Sequence, residues 1–452
     1  MAMHEQPIHR VIDLTDPKAN VLFNASLDEA RQAVALGDLF GVRRIQGSFA
    51  LVAVQGITVR LARSLDRPLR WFIAKRNDGP CLIAAERIDA IHRWLAAEGL
   101  ASQFHPSYTR MVPAHHITEV GLVGCPDPAP VHRRFFEPTL RRLPTDLDAI
   151  AEAYVSAVLR TIRSWLTLRA RNGPVGVCFS GGLDSGTVLL LTYHALRELG
   201  ESPSRLKAFT LSLEGEAGPD LGQAQQFLDA LGLGYFLEPI TAPLSAINWR
   251  EAVLVLEDYK PLDVEAAAMS LALCRGIRHR YPDWRYLLDG DGGDENLKDY
   301  PIEDNPELTI RSVLMNRMLY QEGWGVQSLK HSQTYSGGLS RGCARTFAPA
   351  VLCGFEKFSP FTAPEVIEVA ESIPFVELTD WQTERLYELK GKILTRGVER
   401  ITGLKMPNFP KRRFQHGTVS ASGFKRLFPA DPHAYRRWFH GHYEQAIVAA
   451  AY

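Results

Sequence analysis

Val175-Gly176-Val177-Cys178-Phe179-Ser180-Gly181-Gly182-Leu183-Asp184-Ser185 decides how this chain is read. The first five residues are apolar or glycine, which is the composition of a short strand buried on both faces. From Gly186 to Leu199 the pattern is helical, so Ser180 to Ser185 fall at a strand-to-helix turn. A helix start presents unpaired N–H groups and a partial positive charge. Gly181 and Gly182 let the backbone close around an anion, and Ser180 and Ser185 add hydroxyl donors. The turn is therefore expected to cradle phosphate. Asp184 would add like charge to a bare phosphate site, and it makes sense where a cation lies between; Mg²⁺ held by a carboxylate plus phosphate oxygens meets that need. A capped turn with no ligand is the plain alternative. Neither G-x-x-x-x-G-K-[ST] nor G-x-G-x-x-G occurs, so a Walker loop and a dinucleotide fingerprint are unsupported.

Outward from this turn the chain alternates. Strand-like runs at 207–213, 235–240 and 284–288 are separated by helical patterns at 220–231 and 264–280. Strands alternating with helices predict a parallel sheet wrapped by helices. A helix over 146–171 precedes it, with Pro144-Thr145-Asp146 as its start signal. The last apolar strand runs into Asp289-Gly290-Asp291-Gly292-Gly293-Asp294-Glu295. Four acidic residues on a glycine-rich loop at a strand's carboxyl end predict a divalent cation site, with a solvated acidic turn as the plain alternative. Gly293 and Asp294 stand where a calcium loop needs an acid or amide followed by glycine, which disfavours an EF-hand.

The six-residue turn resembles the pyrophosphate loop of the adenine nucleotide α-hydrolase superfamily, and the two loops together resemble the synthetase domain of the asparagine synthetase family, whose second motif reads S-G-E-G-A-D-E. Gly354-Phe355-Glu356-Lys357-Phe358-Ser359-Pro360-Phe361 is similar to that family's G-L-E-A-R-V-P-F, and Pro410 to Gly417 to its lysine-bearing R-x-K-x-x-F-x-x-G. The resemblance spans about 175–417 and implies a reaction: a carboxylate is adenylated by ATP with Mg²⁺, pyrophosphate leaves, and an amine opens the acyl-adenylate to an amide. It implies a nucleotide site of Ser180, Gly181, Gly182, Leu183, Asp184, Ser185, Leu213, Gly290 and Lys411, metal ligation by Asp184 and Asp294, and charge neutralisation by Lys411. Arg412 and Arg413 could assist. Asp291 occupies the position where ammonia-using members carry glutamate and the related β-lactam synthetases carry tyrosine, so it is the expected base for an incoming amine.

Residues 46–54, 58–63 and 81–85 read as short strands separated by hairpin-sized gaps, and the first 140 residues as an α+β, antiparallel domain. Gly47 to Val54 and Val59 to Arg70 resemble the family's glutamine amidotransferase domain. That domain uses an N-terminal cysteine, whereas residues 2 and 3 here are Ala2 and Met3 and no N-G-E or N-G-D pocket is found. The expected organisation is thus a degenerate, Ntn-hydrolase-like domain over 1–140 and an ATP-pyrophosphatase domain with a helical C-terminal part over 141–452, with no glutaminase activity.

Composition agrees with an ordinary globular chain: 452 residues, 46% hydrophobic and 23% charged. Lys plus Arg and Asp plus Glu are 51 each, so the formal charge is zero, and no basic surplus points to nucleic acid or anionic lipid. The start lacks an apolar signal segment and the aliphatic runs are short, so a cytoplasmic protein with no membrane association is expected. Six scattered cysteines without a C-x-x-C pair read as free thiols. The expected partners are a small-molecule or peptide carboxylate and an amine donor; a homodimer stays open as the assembly. The rival readings are an intramolecular cyclase of the β-lactam synthetase or lasso cyclase type, a sulfur-inserting or nucleic-acid-modifying pyrophosphatase, and an inactive binding module.

Overall fold

A computed structural model describes residues 10–77, 79–121, 129–139, 142–216, 218–299, 302, 308–318, 341–409 and 417–450. They fall into two compact units. The first takes the described residues up to Glu137 and those from Tyr435 onward; the second takes those from Pro138 to Ala434. The residues of the last described helix from Tyr435 on lie with the first unit, where Tyr443 packs its ring 5.4 Å from that of Phe104.

In the first unit, alternating apolar residues on two sheets close one core. Ala50–Gln55 and Thr58–Arg63 form an antiparallel hairpin, extended by His116–Gly121 and Val131–Arg134. The strand read at 81–85 lies in the other sheet, Gly79–Ala85, between Arg10–Asp13 and Arg70–Arg76. The gap after Arg63 is therefore filled by a strand that the arginines at 70 and 76 conceal. Arg10–Asp13 pairs parallel to Gly79–Ala85, so this sheet is mixed rather than wholly antiparallel. Val59, Leu61 and Val120 of one sheet join Trp71, Leu82 and Ala84 of the other in a single buried cluster. Each large side chain so removed from water contributes roughly 1.5–3 kcal/mol.

In the second unit, helix α1 (Leu147–Leu168) starts at Asp146, whose carboxylate accepts from the backbone N–H groups of Asp148 and Ala149. It leads to β1 (Val175–Cys178), α2 (Leu183–Glu198), β2 (Leu206–Leu213), α3 (Pro219–Asp229), β3 (Leu237–Ala242), α4 (Pro261–Arg280), β4 (Tyr286–Leu288), α5 (Arg341–Leu352), β5 (Glu356–Phe358) and α6 (Thr383–Thr402). The five strands are parallel in the order β3-β2-β1-β4-β5. Strand β5 belongs to the stretch read only as a family motif. The order runs outward from β1 to β3, then restarts on the other side of β1 with β4. The carboxyl ends of β1 and β4 thus flank a topological switch point, where a crevice opens for ligands. Helices α1, α2 and α6 pack on one another, as do α4 and α5. No described helix is long and apolar enough to cross a membrane.

Candidate active site

Both loops singled out in the sequence leave the sheet at this switch point. The first follows β1 and enters α2, whose N-cap, Gly182, has no side-chain hydrogen bond to the helix's first turn. The first-turn N–H groups of α2 remain available to an anion. Gly181 turns the chain at φ +74°, and a Cβ there would lie 2.9 Å from the backbone nitrogen of Ala224 on α3. Ser180 and Ser185 make only long contacts with one another, 3.3 Å between hydroxyls, which leaves both free to turn to a ligand.

The second loop packs backbone against backbone on the first. A Cβ on Gly290 would sit 2.7 Å from the Ser185 nitrogen, and one on Gly293 would overlap the Asp184 carboxylate. These two glycines are therefore required by the close approach of the loops. Asn296, fully buried, ties the loop's end to the carbonyl of Phe361 (2.8 Å) and the Tyr154 hydroxyl (3.1 Å).

Loop contact brings Asp184 and Asp294 to one point, and that point holds the ammonium of Lys390 from α6. Lys390 Nζ lies 2.5 Å from Asp184 Oδ2, donates to Asp294 Oδ1, and is 3.5 Å from Asp299 Oδ2. Burial works against this ammonium, but the charges of Asp184, Asp294 and Asp299 outweigh it and hold its pKa well above the usual lysine range. Sequence reading missed Lys390 altogether. The signal was present: Leu386, Leu389, Ile393 and Leu394 share the buried side of α6 with it, and a lysine inside an apolar stripe needs a buried partner.

The other half of the second loop forms a separate cluster. Asp289 accepts from Ser359 Oγ (2.7 Å), Thr346 Oγ1 (2.9 Å) and the Asp291 backbone N–H (3.1 Å), and lies 2.7 Å from Lys357 Nζ. Asp291 is in hydrogen-bond contact with the same Thr346 hydroxyl, whose single proton lies between the two carboxylates, and accepts from Lys357 at 3.2 Å. Burial pushes the Asp291 carboxyl up to about 7, against the hydrogen bond from Thr346 and the charge of Arg345; Glu295 and Asp184 add to the rise. Thr346 and Arg345 come from α5, and Arg345 is itself paired to Asp263 at 2.9 Å. Cys178, at the end of β1, is no nucleophile, since burial pushes its thiol up to about 12.

Of the predicted site residues, Ser180 to Ser185, Gly290, Asp291 and Asp294 come together in this crevice. Leu213 ends β2, with its side chain buried and its carbonyl accepting from the Glu216 N–H at 3.2 Å. Lys411, Arg412 and Arg413 lie outside the described residues, as do Ala2 and Met3. The described chain on either side of Lys411 is fixed to the same unit: Thr187 Oγ1 lies 3.7 Å from the Met406 sulfur, and the Ser420 hydroxyl donates to Glu216 at 2.7 Å. Among the described residues no three His, Cys, Asp or Glu side chains are poised to hold a metal by themselves. Two carboxylates converging on a positive charge still fit Mg²⁺, which is usually held by one or two carboxylates plus substrate phosphates.

Comparison with known proteins agrees with this geometry. The asparagine synthase family model matches residues 167–339, the stretch that carries both loops and stops short of Gly354–Phe361 and Pro410–Gly417. No curated protein matches the chain. Among solved structures the chain is similar to the U34-tRNA thiolase NcsA from Methanococcus maripaludis with its 4Fe-4S cluster, at 14% identity over 66% of this chain and 80% of that one; its TM-score of 0.25 is too low to bear on function. The asparagine synthase family model thus lies over the Ser180–Ser185 turn and the Asp289–Glu295 loop, both at the switch point, and residues 167–339 are similar to an asparagine synthase domain.

Proposed function

We propose that this enzyme adenylates a carboxylate at the expense of ATP, releases pyrophosphate, and passes the acyl group to ammonia or an organic amine. One observation carries the reading: carboxylates from two loops at neighbouring strand ends, Asp184 and Asp294, converge on a single cation beside the uncapped start of α2. In the first step a carboxylate oxygen of the substrate bonds to the α-phosphorus of ATP and the bond to pyrophosphate breaks. In the second the amine nitrogen bonds to the acyl carbon, AMP leaves, and one proton goes from nitrogen to a base. Mg²⁺, when bound by Asp184 and Asp294, would neutralise phosphate charge as pyrophosphate departs. Ser180, Ser185 and the first-turn N–H groups of α2 bind the β and γ phosphates, and Lys411 is assigned by resemblance to the charge of the leaving group. Asp291, with a pKa near neutrality, takes the amine's proton.

A glutamine-derived nitrogen is not part of this reading. Among the described residues of the first unit the cysteine is Cys81, fully buried within a strand, where it has neither access nor the free α-amino group of an N-terminal nucleophile. The test is Mg²⁺-dependent exchange of pyrophosphate into ATP with a panel of carboxylates, followed by product analysis with ammonia and amines. AMP and pyrophosphate are expected in equal amounts, with no glutamate from added glutamine; ADP and phosphate as products would overturn the assignment.

A further inference from the structure

We propose that Lys390 is the resident counter-ion of the metal cradle, and that the divalent cation loads by displacing its ammonium from Asp184 and Asp294. The inference rests on the ATP and Mg²⁺ reading above and adds a positioning residue to it. Three carboxylates face Lys390 Nζ: Asp184 at 2.5 Å, Asp294 in hydrogen-bond contact and Asp299 at 3.5 Å. With one ammonium among them the group carries two negative charges in excess, so a divalent cation at Asp184 and Asp294 balances the charge while the displaced ammonium keeps Asp299 as its partner. Exposure gives the exchange a direction. The lysine side chain is 3% exposed, whereas those of Asp184 and Asp294 are 21% and 32% exposed. The ammonium is thus more deeply buried than the carboxylates it holds, and a cation from solvent reaches the exposed parts of Asp294 and Asp184 first, Asp184 Oδ1 itself being sealed against Gly293.

The arrangement is rigid where it must be. Lys390 lies on the buried side of α6, which packs on α1 and α2, and the Gly293 backbone is pressed against Asp184. The two carboxylates are thus held in place before any nucleotide arrives. Like charge lowers the affinity of such a site for metal, so the metal should bind weakly alone and tightly only when triphosphate oxygens add ligands and negative charge. Lys390 then couples metal loading to nucleotide loading.

Mn²⁺ as the probe tests this, with its binding followed by loss of the aqueous Mn²⁺ electron paramagnetic resonance signal. Wild-type protein is expected to bind Mn²⁺ weakly without nucleotide and much more tightly with an ATP analogue whose α–β bridge is methylene. Lys390→Met should bind Mn²⁺ at least tenfold more tightly than wild type without nucleotide, while Lys390→Arg, which keeps the charge, should stay close to wild type. Should Lys390→Met need metal to fold, recovery of its melting transition by Mn²⁺ supports the exchange, and Lys390→Met with Asp299→Asn, which has one buried charge fewer, should show the same tightening. Equal or weaker Mn²⁺ affinity in both variants, or failure of both to fold at any Mn²⁺ concentration, overturns the proposal. If wild-type protein binds no Mn²⁺ even with the analogue, the ATP and metal reading itself falls.

Discussion

Lys357 holds two carboxylates and Lys390 three at the same switch point, and the two clusters differ in what faces solvent. Both lysine side chains are 3% exposed. Around Lys357, Asp289 is 4% exposed and Asp291 20%. Asp289 is also saturated by Ser359, Thr346 and the Asp291 N–H. Around Lys390 both carboxylates of the tighter contacts reach solvent. The same ion pair thus fastens a loop where its acid is sealed and its lone pairs are used, and prepares a ligand site where its acids remain open. Asp291 lies between the two cases, held by one neighbour of the sealed cluster yet open enough to meet a substrate.

The largest effect that would sharpen this contrast is at the open cluster. Asp184→Asn or Asp294→Asn keeps a hydrogen-bonding group beside Lys390 and leaves the other carboxylate to pair with it, so the fold should persist. A metal-bound transition-state charge is worth several kcal/mol, so pyrophosphate exchange should fall about a thousandfold. Exchange close to wild type in Asp184→Asn would break the assignment of the open cluster to the nucleotide.

At the sealed cluster the loss should appear in stability instead. Lys357→Met leaves Asp289 buried without its cation, and breaking a buried pair in this way costs about 3–5 kcal/mol. A clear fall in the melting temperature is expected, read by circular dichroism, with Lys357→Arg retaining most of it. An unchanged melting curve would mean that the sealed cluster is not what fastens the loop.

Asp291 is the position at which the two clusters can be told apart functionally. Asp291→Ala should spare pyrophosphate exchange and slow amide formation about a hundredfold, the lower end of what a positioned base contributes. Loss of exchange would place Asp291 with the metal ligands rather than with the amine.

What could be read from sequence follows the same division. The Ser180–Ser185 turn and the Asp289–Glu295 loop were legible because each packs its glycines and charges into six or seven consecutive residues directly after an apolar strand. The parallel sheet was legible for the same reason, since β1 and β4 are short apolar runs, β2 is strand-like, and helical patterns lie between them. Lys390 was not, because its partners lie 96 and 206 residues away in the chain and a lone lysine on a long helix reads as solvated. Strand β5 has three residues with Lys357 in the middle, too short and too polar to show a period. In the first unit Arg10–Asp13 pairs with a strand some seventy residues on, and Arg70 is buried in a strand while its guanidinium Nη1 donates to the Glu86 carbonyl at 2.7 Å. Long-range pairing of charged residues is what local pattern does not carry.

The smallest effect is a pH dependence that belongs to one half-reaction only. Asp291 faces Lys357 on β5, Thr346 and Arg345 on α5, and Asp289 and Glu295 on its own loop, with Asp184 contributing across the crevice. Burial holds its carboxyl protonated up to about pH 7, and a protonated acid cannot take the amine's proton. Amide formation should therefore rise about tenfold per unit of pH below 7 and level off above it, after allowance for the amine's own ionisation, while pyrophosphate exchange lacks this limb. Stability moves the other way. A carboxyl whose folded pKa exceeds its unfolded value favours the fold fully at pH below the unfolded value near 4, and that contribution is lost as pH rises through about 7. In Asp291→Asn both slopes should disappear together. If the rate limb near pH 7 survives that substitution, the proton is taken by another group; if the rate limb goes but the stability slope stays, Asp291 acts on the amine without being the carboxyl that titrates in the fold.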